Sequence, residues 1–222
     1  MSFAIALDGP AGAGKSTIAR KTANILNFIY VDTGALYRTI GLAASRRGIE
    51  PIVSPEVDSL LENITVQLAF NDKMEQIVLL DGEDVSGLIR TPEASMMASK
   101  ISAVPNVRTY LLDLQRDMAA KNNVIMDGRD IGTVVLPNAD VKIFLTATPE
   151  ARAGRRYKEF IEKGMDVRFE DVLADVIERD YNDSHRETAP LKPAEGCVIV
   201  DTTDLDFEQS VQKIISVIKE KL

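Results

Sequence analysis

Residues 9–16 read GPAGAGKS and combine three glycines with a lysine and a hydroxyl side chain. They match the pattern G-x-x-x-x-G-K-[ST], in which inward-pointing backbone N–H groups hold a polyphosphate and glycines leave room for it. In such a loop Lys15 would reach the β- and γ-phosphates, while the Ser16 hydroxyl would bind Mg²⁺. A helix that begins at Lys15 adds the positive end of its dipole. The stretch therefore predicts a nucleotide-phosphate site.

Arginines supply a second kind of chemistry. Arg38 occurs in DTGALYR and Arg129 in DGRD, and further arginines stand at positions 108, 152, 155, 156, 179 and 186. A small-molecule kinase must hold a second anion beside the γ-phosphate of ATP, and arginines offset the Coulomb repulsion between the two. This pattern favours a small-molecule kinase. For Arg152 and Arg168, a solvated helix face is the simpler interpretation.

The elements that position these residues alternate along the chain. Apolar, β-branched runs predict strands at 3–7, 28–31, 123–126, 141–145 and 197–200. Helical periodicity occurs near 15–27, 35–47, 106–121, 149–163, 170–187 and 206–221. This alternation predicts an α/β fold whose parallel sheet carries helices on both faces. Asp8, Asp32 and Asp127 fall at the carboxyl ends of strands, where ligands bind in open parallel sheets.

The alternation breaks between about residues 62 and 100. ITVQLAF and MEQIVLLDGEDV indicate short antiparallel strands, with turns at Asn71-Asp72 and Asp81-Gly82. We therefore expect an inserted subdomain over 62–100 within a single domain of 222 residues.

Composition limits the class of protein. The chain is 45% hydrophobic and carries a net charge of −8, which argues against a general nucleic-acid surface. No apolar run approaches the roughly 20 residues that span a bilayer, and the start lacks signal-peptide features. The single Cys197 permits no intrachain disulfide, and its setting in CVIV predicts a buried thiol. We expect a cytoplasmic monomer without membrane or nucleic-acid partners.

Other phosphate-loop classes fit the sequence less well. The N/T-K-x-D motif with which a switch GTPase reads guanine is absent from the sequence, as is the hhhhD-E strand end typical of motor ATPases. Two alternatives stay open: a kinase for AMP or UMP, and a binding or regulatory protein with weak turnover. The lone His185 is not expected to act as a general base, because a phosphate acceptor has no proton that must be removed.

Several motifs resemble those of one family. They are GPAGAGKST, VDTGALYRT, DGEDVSGLIRTPEAS, IMDGRDIGTVVLPNADVKIFLTA and ERDYNDSHRETAPLKPA. Together they resemble the bacterial cytidylate kinases of the nucleoside monophosphate kinase group, from residue 3 to beyond residue 200. The resemblance implies the reaction ATP + CMP ⇌ ADP + CDP, with dCMP as a second acceptor and Mg²⁺ required.

The resemblance also implies a three-layer α/β/α phosphate-loop fold. Its five-stranded parallel sheet would have the order 2-3-1-4-5. A single kinase domain would span residues 1–222, with a CMP-binding insert at 62–100 and a short lid at 154–168.

Site residues follow from the phosphate-loop motif and from the resemblance. The ATP-binding loop would comprise Gly9, Pro10, Ala11, Gly12, Ala13, Gly14, Lys15, Ser16 and Thr17. The catalytic group would be Lys15, Arg38, Arg129 and Arg155, with Ser16 on Mg²⁺. The resemblance implies that Arg38, Arg129 and Arg186 hold the CMP phosphate, Thr33, Ser99, Arg108 and Asp130 the cytosine, and Arg179 and Asp183 the pentose.

The implied base pocket agrees with the chemistry of cytosine. Cytosine offers a donor at N4 and acceptors at N3 and O2, so a carboxylate and a guanidinium are complementary to it. Uracil would place its O4 acceptor against the acceptor oxygens of Asp130, and a buried unpaired polar group costs about 1–3 kcal/mol. The pair Arg108 and Asp130 therefore favours CMP over UMP as the acceptor.

Overall fold

The computed structural model describes residues 2–71 and 75–222. Within these residues five strands form one parallel sheet. The strands are β1 (Ala4–Asp8), β2 (Ile29–Asp32), β6 (Val124–Gly128), β7 (Val141–Thr146) and β8 (Val198–Asp201). Their order across the sheet is β2-β6-β1-β7-β8. When only these five strands are counted in chain order, this is the expected order 2-3-1-4-5, and the predicted α/β fold is confirmed.

The helices of the described residues are α1 (Lys15–Leu26), α2 (Thr33–Arg46), α3 (Pro55–Glu62), α4 (Pro92–Ile101), α5 (Pro105–Lys121), α6 (Pro149–Glu162), α7 (Phe169–His185) and α8 (Phe207–Lys219). Six of them lie within two residues of the predicted bounds. In these residues no helix has the length and apolarity that crossing a bilayer needs.

Helices cover both faces of the parallel sheet. Ile5 and Leu7 of β1 point into a core shared with α1 and α8, whereas Ala6 points into a core shared with α5. All three side chains are fully buried, as expected for a central parallel strand covered on both sides. The helices leave the carboxyl ends of the strands uncovered.

A separate antiparallel sheet lies within the predicted insert. It consists of β3 (Val66–Phe70), β4 (Gln76–Leu80) and β5 (Glu83–Asp84). The turn between β4 and β5 is Asp81-Gly82, as predicted, with φ angles of 51° and 85° that suit a two-residue hairpin. The other predicted turn, at Asn71-Asp72, extends outside the described residues.

Two helices and one irregular element were not predicted. Helices α3 and α4 begin alike, with Ser54 and Thr91 capping the first turn ahead of a proline. Both start signals are visible in the sequence, but the helices have only 8 and 10 residues, too few to repeat a helical pattern over many turns. A π-helix spans Ile131–Val135, immediately after the DGRD motif.

The expectation that Cys197 is buried was wrong. Cys197 is half-buried, and Val198 and Ile199 after it are 41% and 60% exposed. The cause is the position of β8 at the edge of the sheet. Only Val200 of this strand reaches the core beneath α8. An apolar run alone does not distinguish an edge strand from a central one.

Candidate active site

The carboxyl ends of the parallel strands border a cavity of about 790 Å³. Most residues predicted for the site line it: Ala11, Gly12, Gly14, Lys15, Ser16, Thr17, Thr33, Arg38, Ser99, Arg108, Arg129, Asp130, Arg155, Arg179, Asp183 and Arg186. The other predicted residues, Gly9, Pro10 and Ala13, belong to the buried part of the same loop. Residues dispersed over the whole chain thus meet at one place.

The loop before α1 depends on its glycines. Gly9, Gly12 and Gly14 have φ angles of 149°, 75° and 85°, in a region that favours glycine. A Cβ on Gly9 would lie 2.0 Å from the carbonyl oxygen of Leu145 in β7. The loop therefore passes too close to the sheet for any side chain at that position. Lys15 Nζ donates to the Pro10 carbonyl at 2.7 Å, which folds its ammonium back over the loop.

Asp127 at the end of β6 connects the loop to the sheet. Its Oδ2 accepts from Ser16 Oγ at 2.8 Å, and its Oδ1 accepts from the Tyr30 hydroxyl at 2.9 Å. Burial, and then the nearby Asp32, raise the pKa of Asp127, while burial, and then Arg129, lower the pKa of Lys15. Burial therefore destabilises the charged form of both side chains.

The oxygens of Ser16 and Asp127 fit a magnesium ion. Neighbouring ligands of an octahedral Mg²⁺ with bonds of about 2.1 Å lie about 3 Å apart, close to the observed 2.8 Å. Hydroxyl and carboxylate oxygens are hard donors of the kind this ion prefers, with phosphates and water completing its shell. Among the described residues, no three His, Cys, Asp or Glu side chains gather as a metal site of their own.

A buried ion pair faces the cavity from its far side. Arg108 of α5 pairs with Asp130 Oδ2, and the two side chains are only 9% and 6% exposed. Arg108 also donates to the Ser102 carbonyl at 3.1 Å. Arg186 Nη2 lies 3.6 Å from the other oxygen, Oδ1, of Asp130. This carboxylate and two guanidinium groups thus form one cluster.

Asp8 holds the segment that carries Arg129 and Asp130. Its two carboxylate oxygens accept from the backbone N–H groups of Ile131 and Gly132, both at 2.7 Å. A carboxylate that precedes the phosphate loop therefore fixes the start of the π-helix.

The arginines predicted to meet the acceptor phosphate each have a carboxylate or carbonyl partner. Arg38 Nη2 donates to Asp32 Oδ2 at 2.7 Å, and Arg129 Nε donates to Asp183 Oδ2 at 2.9 Å. Burial favours a raised pKa for Asp183, but Arg129, Arg186 and Arg179 together outweigh it and the pKa is lowered. The two arginines are 21% and 24% exposed, so part of each guanidinium is open to solvent.

The arginines that line the cavity have donors without hydrogen bonds, and they repel one another. Among the described residues, Nε of Arg38 and Nη2 of Arg186 are buried and lack a hydrogen-bond partner. Burial, and then Arg129, lower the pKa of Arg179 to about 10, and burial, and then Arg108, lower that of Arg186. A bound anion would supply acceptors for these donors and offset the repulsion between the guanidinium groups.

Arg155 of α6 contacts the phosphate loop and the residue that follows β8. Its guanidinium donates to the Thr202 carbonyl at 2.5 Å and to the Ala13 carbonyl at 3.5 Å. This places a cation beside the phosphate loop and apart from the cluster around Asp130. His185, by contrast, is exposed on α7 and stacks on Tyr181.

The interpretation of Arg152 as a solvated residue was wrong. Its residue exposure is 2%, and its guanidinium pairs with Asp180 of α7. Arg168, for which the same interpretation was given, is 75% exposed. Arg152 lies in a charged helix, whose sequence pattern does not show which side meets the phosphate loop. The one feature of the sequence that could have indicated a buried ion pair is that residue 152 is arginine, which suits bidentate pairing.

The pH dependence of stability is expected to report on Asp8. Burial raises the pKa of Asp8 to about 6, although its two backbone hydrogen bonds lower it. Its proton is then held more tightly in the native state, so its contribution to the free energy of unfolding falls as pH rises from about 4 to about 6. Between pH 5 and pH 7 the parent should lose about 1 kcal/mol more stability than Asp8→Asn, measured by urea unfolding.

The control for this measurement is Asp166→Asn, which removes an exposed carboxylate. It should follow the parent across the same pH range. Equal slopes for the parent and Asp8→Asn would show that the pKa of Asp8 is not raised.

Comparison with known proteins identifies relatives over nearly the whole chain. A family model described as cytidylate kinase matches residues 5–220. The cytidylate kinase of Carboxydothermus hydrogenoformans is 48% identical over 217 residues, covering 98% of this chain and 97% of the relative. That of Thermosipho melanesiensis is 44% identical over 221 residues, covering 100% and 99%. A solved sugar kinase from a Janibacter species shares the fold, with a TM-score of 0.50, 16% identity and coverage of 99% and 95%.

Proposed function

The chain belongs to the cytidylate kinase family, and on that basis we propose that it transfers the γ-phosphoryl group of ATP to CMP and to dCMP. The observation that carries the proposal is the buried pair of Arg108 and Asp130, which shares one cavity with Lys15. One end of that cavity suits a polyphosphate and the other suits a base with adjacent donor and acceptor atoms. From the sequence alone we also propose that the protein acts in pyrimidine nucleotide metabolism, in the cytoplasm and as a monomer.

Recognition of the base is assigned to the buried pair. The Asp130 carboxylate would accept from the N4 amino group of cytosine, and the Arg108 guanidinium would donate to N3 or O2. Thr33 and Ser99 would complete this pocket; the Thr33 hydroxyl already donates to the Asp127 carbonyl at 2.7 Å. Because the pair is desolvated, a base that leaves one of these groups unpaired is penalised more strongly than in water.

Recognition of the acceptor phosphate is assigned to Arg38, Arg129 and Arg186. Nε of Arg38 and Nη2 of Arg186 support this assignment, since a phosphate would accept the hydrogen bonds that these donors do not make. Arg179 and Asp183 would face the pentose. Both lie on α7, where Arg179 donates to the Ser95 carbonyl of α4 at 3.0 Å.

Transfer needs no general base, because the attacking oxygen of CMP is already anionic. The protein's contribution is to align the two phosphates and to offset their charge with Lys15, Arg129 and Arg155. Backbone N–H groups of residues 9–17 would hold the donor phosphates. Ser16 and Asp127 would hold Mg²⁺, which when bound neutralises charge on the β- and γ-phosphate oxygens.

Two mobile parts are proposed from the sequence resemblance. The insert at 62–100 would close over CMP, and the contact between Arg179 and Ser95 supports a link between that insert and α7. The lid at 154–168 would comprise the second half of α6 and the loop before α7. Closing both would exclude water from the transfer.

Base selectivity tests the proposed function through Asp130→Asn. The asparagine amide can donate as well as accept, so the penalty against O4 of uracil should shrink. We expect kcat/KM for CMP to fall and that for UMP to fall less or rise. The ratio of the two should narrow by about tenfold, the equivalent of one re-formed hydrogen bond of about 1.4 kcal/mol. Steady-state kinetics with both acceptors measure it.

The matched control is Asp32→Asn, which alters the carboxylate partner of Arg38 on the phosphate side. It should lower kcat/KM for CMP and UMP together, because the phosphate is common to both. If Asp130→Asn also leaves the ratio unchanged, Asp130 only orients its arginine partners and does not read the base.

A further inference from the structure

The buried Arg152 and the half-buried Asp180 form an ion pair between α6 and α7. The guanidinium donates through Nη1 to Asp180 Oδ1 at 2.9 Å and through Nη2 to Oδ2, a bidentate arrangement. The Arg152 side chain is 3% exposed and that of Asp180 is 25% exposed. Its low exposure separates this pair from the exposed bidentate pair of Arg168 and Asp171, whose side chains are 75% and 60% exposed.

The same guanidinium also holds the phosphate loop. Nη1 of Arg152 donates to the Ala11 carbonyl at 2.9 Å, and Nε donates to the Ala147 carbonyl after β7 at 2.9 Å. A Cβ built on Gly12 would lie 3.3 Å from Cβ of Arg152, so the loop backbone packs directly against the start of α6. One side chain thus joins the loop, the end of β7 and α7.

The other partner stands on the helix that faces the acceptor side of the cavity. Asp180 is flanked on α7 by Arg179, which donates to the Ser95 carbonyl, and by Asp183, which accepts from Arg129. A displacement of α7 at Asp180 would therefore displace groups on the acceptor side. The only covalent route from residue 11 to residue 180 is the long chain between them, whereas the pair spans the gap directly.

We propose that Arg152 and Asp180 are positioning residues that fix the phosphate loop and α7 at one separation, so that donor and acceptor phosphates lie in line. The proposal rests on the function proposed above and assigns neither residue a contact with substrate. A displacement of about 1 Å between reacting groups is enough to cost about a hundredfold in rate. Lysine at position 152 would keep the charge but could not make four planar contacts at once.

The test compares Arg152→Lys and Asp180→Asn with changes in the exposed pair of Asp117 and Lys121 on α5, Asp117→Asn and Lys121→Arg, whose side chains are 68% and 71% exposed. For each variant the rate of CDP formation is measured, together with the release of inorganic phosphate by ATP + H₂O → ADP + phosphate. Loss of alignment should hinder transfer to CMP more than transfer to the smaller water molecule. We expect kcat for CDP to fall 10- to 100-fold, with both KM values within about threefold, and the ratio of hydrolysis to transfer to rise at least tenfold.

Two further measurements separate positioning from a general loss of structure. The kcat of the double variant Arg152→Lys/Asp180→Asn should lie within about twofold of the kcat of the slower single variant, because the pair acts as one unit. Without nucleotide, hydrogen exchange at residues 11–14 should be faster in Arg152→Lys than in the parent, since the tether at Ala11 is weakened. The exposed-pair variants should match the parent in every measurement.

The proposal is overturned if hydrolysis and transfer fall together, or if hydrogen exchange at residues 11–14 is unchanged in Arg152→Lys. The proposal is also overturned if the exposed-pair variants shift the ratio of hydrolysis to transfer as much as Arg152→Lys and Asp180→Asn do. If the parent itself forms no CDP, the proposed function fails instead, and the exchange measurement still decides whether Arg152 tethers the loop.

Discussion

Replacing Lys15 by alanine is expected to lower kcat for CDP formation by about a thousandfold, while the Kd for CMP changes less than about threefold. The Lys15 ammonium lies over the phosphate loop, 2.7 Å from the Pro10 carbonyl, and the residue lines the cavity. It would meet the phosphoryl group in transit, whose charge redistributes in the transition state. Its loss therefore acts on turnover more than on acceptor binding. Stopped-flow or steady-state rates and a CMP titration measure the two quantities.

Lys21→Ala is the control for this prediction, because Lys21 is exposed on the same helix. It should keep the activity of the parent within about twofold, as expected of a surface change. A Lys15→Ala enzyme within threefold of the parent would contradict the assignment of residues 9–17 as the donor-phosphate loop.

Replacing Arg129 by alanine is expected to lower kcat/KM about a hundredfold or more, and equally for CMP, dCMP and UMP. The guanidinium donates to Asp183 and to the Gly128 carbonyl, and it is 24% exposed at the cavity. A phosphate is common to all three acceptors, so the base should not alter the loss. Arg129→Lys keeps a charge without the fork and should recover only part of the activity. A loss that differs more than about threefold between CMP and UMP would assign Arg129 to the base pocket.

The phosphate loop was predictable because its signal is local. The glycines, Lys15 and Ser16 occupy one short stretch, and each glycine answers a local demand of φ or space. The turn at Asp81-Gly82 is similar, because two positive φ angles in succession select this pair of residues. The strands and long helices were predictable from periodicity for the same reason.

The acceptor side needed information from outside the local sequence. Arg108 and Asp130 are 22 residues apart, and only the family resemblance placed them in one pocket. Their pairing depends on the π-helix Ile131–Val135 and on Asp8, which is 123 residues away from its partner Ile131. Neither the π-helix nor this contact has a periodic signal in the sequence.

Arg152 shows where amphipathic patterns stop being informative. In an amphipathic helix an arginine normally faces water, but α6 packs its first turn on the phosphate loop, where Ala11 and Ala147 offer carbonyl acceptors. Of the contacts that stabilise the buried Arg152, the one to Ala11 spans 141 residues of chain and the ion pair to Asp180 spans 28. The exposure of Val198 and Ile199 is the converse case, since the edge position of β8 leaves apolar residues uncovered.

The most direct test of the account compares acceptors with the unaltered protein. Initial rates are measured with ATP, Mg²⁺ and CMP, dCMP, UMP or AMP, and the diphosphate product is identified in each case. We expect kcat/KM for CMP to exceed that for UMP and for AMP by at least about tenfold, the effect of one unpaired buried group, and dCMP to be phosphorylated as well. Equal or higher efficiency with UMP or AMP, or no formation of CDP from CMP, would contradict it.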